Sequence, residues 1–192
     1  MKKKVLGILG SPKSKGKVAT LLAKVLHESE RNGNEVKQIN LYDIKLDFCR
    51  GCMVCRSKGA CIINDDLQNL AKEILLADVV VLAAPTYWAN VPAIVKNMFD
   101  RMTGYVIKTE KGKSPKSLLY KKKEYVIITA CSTPFPINII GGQSKGALRA
   151  MNEFFKLSGM IKIDTIVFPN TMGNKTIPIG IMNKAEKVGK SI

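Results

Sequence analysis

"KVLGILGSPKSKGKVATLLAKVLHESER", residues 4–31, changes its periodicity once, and that change decides the fold. "KVLGIL" (4–9) is a short, nearly continuous apolar run, the pattern of a strand buried on both faces. After a Gly/Ser/Pro/Lys segment, Leu21, Leu22, Val25 and Leu26 recur at helical spacing over 18–31, and Asn32-Gly33 stops the helix. The stretch is strand, loop, helix.

The same alternation runs along the chain without a linker, repeat or low-complexity segment. "EVKQINL" (35–41) reads as a strand, and "DDLQNLAKEILLA" (65–77) as a helix with two acids at its positive end. "DVVVLAAP" (78–85) is the most apolar strand, and "PAIVKNMFDRM" (92–102) a helix with Pro92 in its first turn. A strand at 124–130, a helix at 143–159 ended by Gly159, and a last strand at 162–168 complete the pattern. Five short strands, most separated by helices, predict an α/β fold: right-handed crossovers and a parallel sheet covered on both faces. Ligands bind such sheets at the carboxyl ends of the strands, here residues 10–20, 43–61, 85–92 and 131–143.

At 192 residues the chain is expected to form one domain, 1–192, with a core that needs no staples. "VLGIL" is shorter than a signal-peptide core, and no run approaches the roughly 18 apolar residues of a bilayer span. A cytoplasmic protein with no membrane partner is the expectation. The formal net charge of +16 invites a nucleic-acid reading, but the lysines are scattered and no aromatic platform is interleaved with them. They read as a solvated surface that attracts anionic small molecules to its clefts, with no nucleic-acid partner.

Three loops carry candidate chemistry. "GSPKSKGKVAT" (10–20) combines backbone N–H groups at a helix start with the hydroxyls of Ser11, Ser14 and Thr20: a phosphate cradle, or an ordinary Gly/Ser-rich turn. A Walker A loop is excluded, since five residues separate Gly10 from Gly16 and Val18 stands at the magnesium-binding position. In "APTYWANVPAIVKNMFDR" (84–101), adjacent Tyr87 and Trp88 should cover something flat or pack at an interface, with the amides of Thr86 to Trp88 and the Asn90 side chain as placed polar groups. "CSTPFPINIIGGQ" (131–143) offers Ser132 and Thr133, while Cys131 reads as a small buried residue. The one histidine, His27, is expected to face solvent, which leaves Ser-His-Asp and Cys-His mechanisms little to work with.

"FCRGCMVCRSKGACIINDD" (48–66) places Cys49, Cys52, Cys55 and Cys61 within thirteen positions, spaced C-x2-C-x2-C-x5-C. In a reducing compartment this is a metal or redox site rather than a staple, or a cluster-free loop whose thiols are activated by Arg50, Arg56 and Lys58. Zinc fits less well, because structural zinc sites pair two separated knuckles.

Taken together and in this order, "GSPKSKGKVATLL", "CRGCMVCRSKGACIINDDL" and "APTYWANVPAIVKNMFDR" resemble the flavodoxin-like NADPH-dependent FMN reductases and iron-sulfur flavoproteins, over about residues 4–168. The resemblance implies a flavodoxin-like fold with strand order 2-1-3-4-5, noncovalent FMN, NAD(P)H as reductant and a small-molecule electron acceptor. It also implies a homodimer or homotetramer with the flavin near the subunit interface. Carried over, Ser11, Lys13, Lys17, Val18, Ala19 and Thr20 would hold the FMN phosphate, with Lys17 standing where relatives usually have Asn. Pro85, Thr86, Tyr87, Trp88 and Asn90 would line the isoalloxazine, bordered by Ser132 and Thr133. Cys49, Cys52, Cys55 and Cys61 would ligate a [4Fe–4S] cluster. No acid or base is assigned. The implied functions are an NAD(P)H oxidoreductase for quinones, azo or nitro compounds or free flavin, or a carrier passing electrons between cluster and FMN.

Overall fold

The computed structural model describes residues 2–110, 112–119 and 122–192. Five parallel strands form the sheet: β1 (Lys4–Leu9), β2 (Glu35–Asn40), β3 (Val79–Pro85), β6 (Glu124–Ala130) and β7 (Ile161–Phe168), in the order β2-β1-β3-β6-β7. In the succession of these five strands that is the expected order 2-1-3-4-5. The helices are α1 (Lys17–Arg31), α2 (Val54–Lys58), α3 (Leu67–Leu76), α4 (Ala93–Val106), α5 (Ile137–Ile140), α6 (Gln143–Leu157) and α7 (Ile179–Ser191).

The run "VVVLAA" is apolar throughout because both faces of β3 are covered. Val80, Leu82 and Ala84 join the core packed with Leu70 of α3, Met98 of α4 and Met151 of α6. Val79, Val81 and Ala83 join the opposite core with Leu22 of α1 and Val188 of α7. Successive side chains alternate sides, so one strand serves two layers.

Sequence periodicity missed α7, which lies after the last predicted strand. Its buried face is Ala185, Val188 and Gly189, small residues that give little apolar signal. Polar links also fix it: Lys24 of α1 pairs with Glu186 at 2.8 Å, and Asn32 Nδ2 donates to the Lys190 carbonyl at 3.2 Å. A two-residue antiparallel pair, β4 (Ile107–Lys108) with β5 (Lys116–Ser117), was likewise not expected. His27 is exposed and Cys131 buried, as read from the sequence. Among the described residues no helix is long and apolar enough to cross a membrane.

Candidate functional site

The carboxyl ends of β1 and β3 open on a cavity of about 560 Å³. On its first wall, Ser11 is buried and its Oγ accepts the Lys13 N–H at 3.2 Å, while the Gly16 N–H donates to the Lys13 carbonyl at 3.0 Å. These bonds curl residues 11–16 under the start of α1. The helix begins without a side-chain cap and without an acidic residue in its first turn. Its amides at Lys17, Val18 and Ala19 find no acceptor among the described residues, and the first bond back is Thr20 N–H to Gly16 at 2.9 Å. Free N–H groups and the positive helix end therefore face the cavity mouth. Lys13, Lys15, Lys17 and Lys175 line it and, among the described residues, no carboxylate does. The wall is electropositive.

On the second wall, Pro85 and Tyr87 line the cavity. Thr86 laces β3 to β6: its N–H donates to the Ala130 carbonyl at 2.8 Å, and its hydroxyl lies 3.1 Å from that of Thr129. Tyr87 and Asn90 exchange backbone bonds at 2.8 and 2.9 Å, so Trp88 and Ala89 form the corner of a tight turn, with φ of 50° and 56°. Both sit in the left-handed region that favours glycine. Trp88 is fully exposed. Two of the three amides expected to serve a ligand, those of Thr86 and Tyr87, are thus engaged within the protein. Asn90 Oδ1 accepts the Val91 N–H at 2.8 Å.

Of the residues singled out from sequence, Ser11, Lys13, Lys17, Val18, Pro85 and Tyr87 meet on this one cavity. Ala19 is buried in the core behind it, and Thr20 is exposed with its hydroxyl donating to the Gly16 carbonyl. Thr86, Trp88, Asn90, Ser132 and Thr133 stand in the surrounding loops. Thr171, Met172 and Lys175 complete the wall and were missed. The signal was available, since they follow the carboxyl end of β7. Lys17 reaches across to this loop, its Nζ donating to the carbonyls of Thr171 and Asn174.

The cysteine segment lies on α4. Cys49 and Cys52 are exposed, Cys55 and Cys61 half-buried, and all four open on a second cavity of about 230 Å³ together with Arg50, Arg56 and Arg101. Among the described residues, no three His, Cys, Asp or Glu side chains converge as a single ion would require. A four-iron cluster asks for something different, one thiolate on each of four irons around a cube. The donor set and its shared cavity fit that group. Sequence reasoning assigned Asp65 to a helix end and gave Arg101 no role. In the structure they form a pair with both side chains wholly buried, Nη1 to Oδ2 at 2.6 Å and Nη2 to Oδ1 at 2.9 Å. Burial alone would push the Asp65 carboxyl up; the Arg101 guanidinium and the Asp47 and Leu67 amides outweigh it, so it sits below the ordinary range.

A doubly covered parallel sheet with a lysine-lined cavity at the ends of its first and third strands defines a flavodoxin-like α/β protein. The chain belongs to the family described as flavodoxin-like fold, whose family model matches residues 3–192. It is similar to an iron-sulfur flavoprotein of Archaeoglobus fulgidus, 39% identical over 102 residues, which are 53% of this chain and 46% of that protein. The chain thus spans about half the length of the curated relatives it matches first. Among solved structures it resembles the NAD(P)H:quinone oxidoreductase from Methanothermobacter marburgensis, with a TM-score of 0.83 and 15% identity over 99% of this chain and 98% of that one. It also resembles an FMN-dependent NADH-azoreductase from Bacillus anthracis in complex with FMN, with a TM-score of 0.74 and 15% identity over 100% and 97% of the two chains. At that identity the likeness is one of fold.

Proposed function

We propose that residues 1–192 act as one FMN-binding unit, an NAD(P)H-dependent oxidoreductase for a small acceptor such as a quinone, an azo or nitro compound or free flavin. The observation that carries this reading is the acid-free cavity with four lysines beside an uncapped α1. Such a wall suits a dianionic phosphate, and the likeness in fold to a quinone oxidoreductase and an FMN-dependent azoreductase supports the same chemistry. Ser11, Lys13 and the amides of Lys17, Val18 and Ala19 hold the phosphate. Pro85 and Tyr87 flank the ring system, with Trp88, Asn90, Ser132 and Thr133 in the loops around it.

When bound, FMN supplies hydride acceptance from NAD(P)H and delivery to the acceptor. The protein's own residues bind and orient it. Lys17 ties the Thr171–Asn174 loop to the start of α1, which keeps the far wall in place. The cytoplasm and a homodimer or homotetramer are the proposed setting. The fully exposed Trp88 and half-exposed Tyr87 at the mouth support a covering subunit. Absorbance of anaerobically purified protein tests the reading: the flavin bands should bleach on adding NADPH or NADH alone. Persistent bands with both nucleotides would remove the oxidoreductase.

A second reading is favoured by one observation, the four thiols on a single cavity. In it the chain is an iron-sulfur flavoprotein, like the Archaeoglobus relative, and carries electrons between a [4Fe–4S] cluster and FMN. Bleaching would then require a reduced protein donor.

A further inference from the structure

Arg101 is 1% exposed, and each of its five N–H groups has an acceptor. Nη1 donates to the Asp47 carbonyl at 2.8 Å and to Asp65 Oδ2; Nη2 donates to Asp65 Oδ1 and to the Ile63 carbonyl at 3.4 Å. Four anchors fix the plane of the guanidinium. The remaining donor, Nε, is thereby aimed at Cys61 Sγ, 3.4 Å away.

The same face of α4 grips the rest of the segment. One turn earlier, Asn97 accepts the Cys49 N–H on Oδ1 and donates Nδ2 to the Asp47 carbonyl, both at 3.0 Å. One turn later, Gly104 leaves room for Cys55, since a Cβ there would lie 2.5 Å from the Cys55 carbonyl oxygen and 2.9 Å from its Cβ. Three of the four cysteines are therefore seated on α4 by the protein alone.

From this geometry we infer that Arg101 is a positioning residue that sets the reduction potential of a cluster held by Cys49, Cys52, Cys55 and Cys61, acting through its Nε–H bond to the Cys61 sulfur. The inference rests on the cluster reading proposed above. One-electron reduction adds negative charge to the cluster and its four sulfurs, and a fixed donor to one sulfur favours the reduced form. Asp65 offsets part of the Arg101 charge, so the two residues act in opposite directions. Arg101→Lys keeps a positive charge but removes the aimed donor, and the potential falls. Asp65→Asn leaves the donor and unmasks the charge, and the potential rises.

The test is reconstitution with iron and sulfide under anaerobic conditions, followed by mediated titration with dithionite as the electron source. Each variant should shift by about tenfold in the one-electron equilibrium, ~59 mV, with opposite signs. A purely structural role would lower iron content in both without opposite shifts. In case either variant fails to fold, the second measurement uses unaltered α4: protein with Arg50→Lys and Arg56→Lys, labelled with 15N-arginine and reduced, should show nitrogen hyperfine coupling from a guanidinium. Loaded protein without that coupling, or variants shifting together or not at all, overturns the inference and leaves the cluster standing. Wild-type protein that takes up no iron overturns both, and the iron count alone tells the two failures apart.

Discussion

Gly146 of α6 lies so close to Ala89 that a Cβ on it would stand 1.7 Å from the Ala89 carbonyl oxygen. The missing side chain lets α6 support the Tyr87–Asn90 turn from behind. Gly146→Ala should therefore push the turn outward. Helix propensity alone would favour alanine by about 1 kcal/mol, but a backbone clash of this size costs more, about 1–3 kcal/mol. A net loss of thermal stability is expected, with FMN affinity weakened about tenfold, ~1.4 kcal/mol, because Tyr87 moves with the turn. Trp88 is the only tryptophan, so its emission reports the displacement. Unchanged emission and unchanged flavin affinity would show that the turn does not rest on α6.

Ala89 holds φ at 56° in that turn, where glycine carries no steric penalty. Ala89→Gly should stabilise the flavin-free protein by about 0.5–1 kcal/mol, the relief of strain exceeding the extra entropy of an unfolded glycine. In a chain of this size that is a rise in Tm of ~1–4 °C. A lower Tm would mean the left-handed corner is held without strain.

The Asp65–Arg101 pair should dominate the acid sensitivity of the fold. Asp65→Asn leaves a buried guanidinium without its counter-charge and should cost about 3–5 kcal/mol at neutral pH. Because the folded carboxyl sits below its usual range, the contribution is fully present above the unfolded value of about 3.9. It is lost as the pH falls through the lower folded value. Denaturant melts of wild type and variant should therefore differ at pH 7 and draw together as the pH falls through that lowered value. With both side chains shielded from solvent, the gap should also change little with salt.

That pair marks the boundary of what the sequence could disclose. Strands β3 and β6 were legible because burial on both faces writes itself as an uninterrupted apolar run. Arg101 was not, because a lone arginine on a helix reads as a solvated residue. Only its partner, 36 positions away in sequence, explains its burial. At the lysine-lined cavity, Ser11, Lys13 and the start of α1 were legible from loop composition and place in the fold. The Thr171–Asn174 loop could be placed at the carboxyl end of β7, but its tie to α1 could not, since Lys17 holds it by backbone carbonyls, which no residue type advertises. The Thr86 and Tyr87 amides looked free in sequence for the same reason: their acceptors, Ala130 and Asn90, become neighbours only in the folded chain.

Ser11 and Thr20 provide a contrast that tests where the phosphate sits. Both hydroxyls belong to the same loop and helix start, yet Ser11 is buried on the cavity wall while Thr20 is exposed with its hydroxyl turned to the Gly16 carbonyl. Ser11→Asp sets a carboxylate against the bound dianion. At about 4 Å and an effective dielectric of about 20, one pair of unit charges already repels by ~4 kcal/mol. Screening and rotation of the new side chain reduce this, leaving an expected loss of FMN affinity of at least about 100-fold, ~2.7 kcal/mol. Thr20→Ala removes a hydroxyl that serves only its own helix and should leave affinity within about twofold. Riboflavin, which has the same ring system without the phosphate, should bind wild type and Ser11→Asp alike. Titrations of flavin fluorescence with both ligands decide the matter. Equal weakening by the two substitutions, or an FMN affinity untouched by Ser11→Asp, would move the phosphate away from the start of α1.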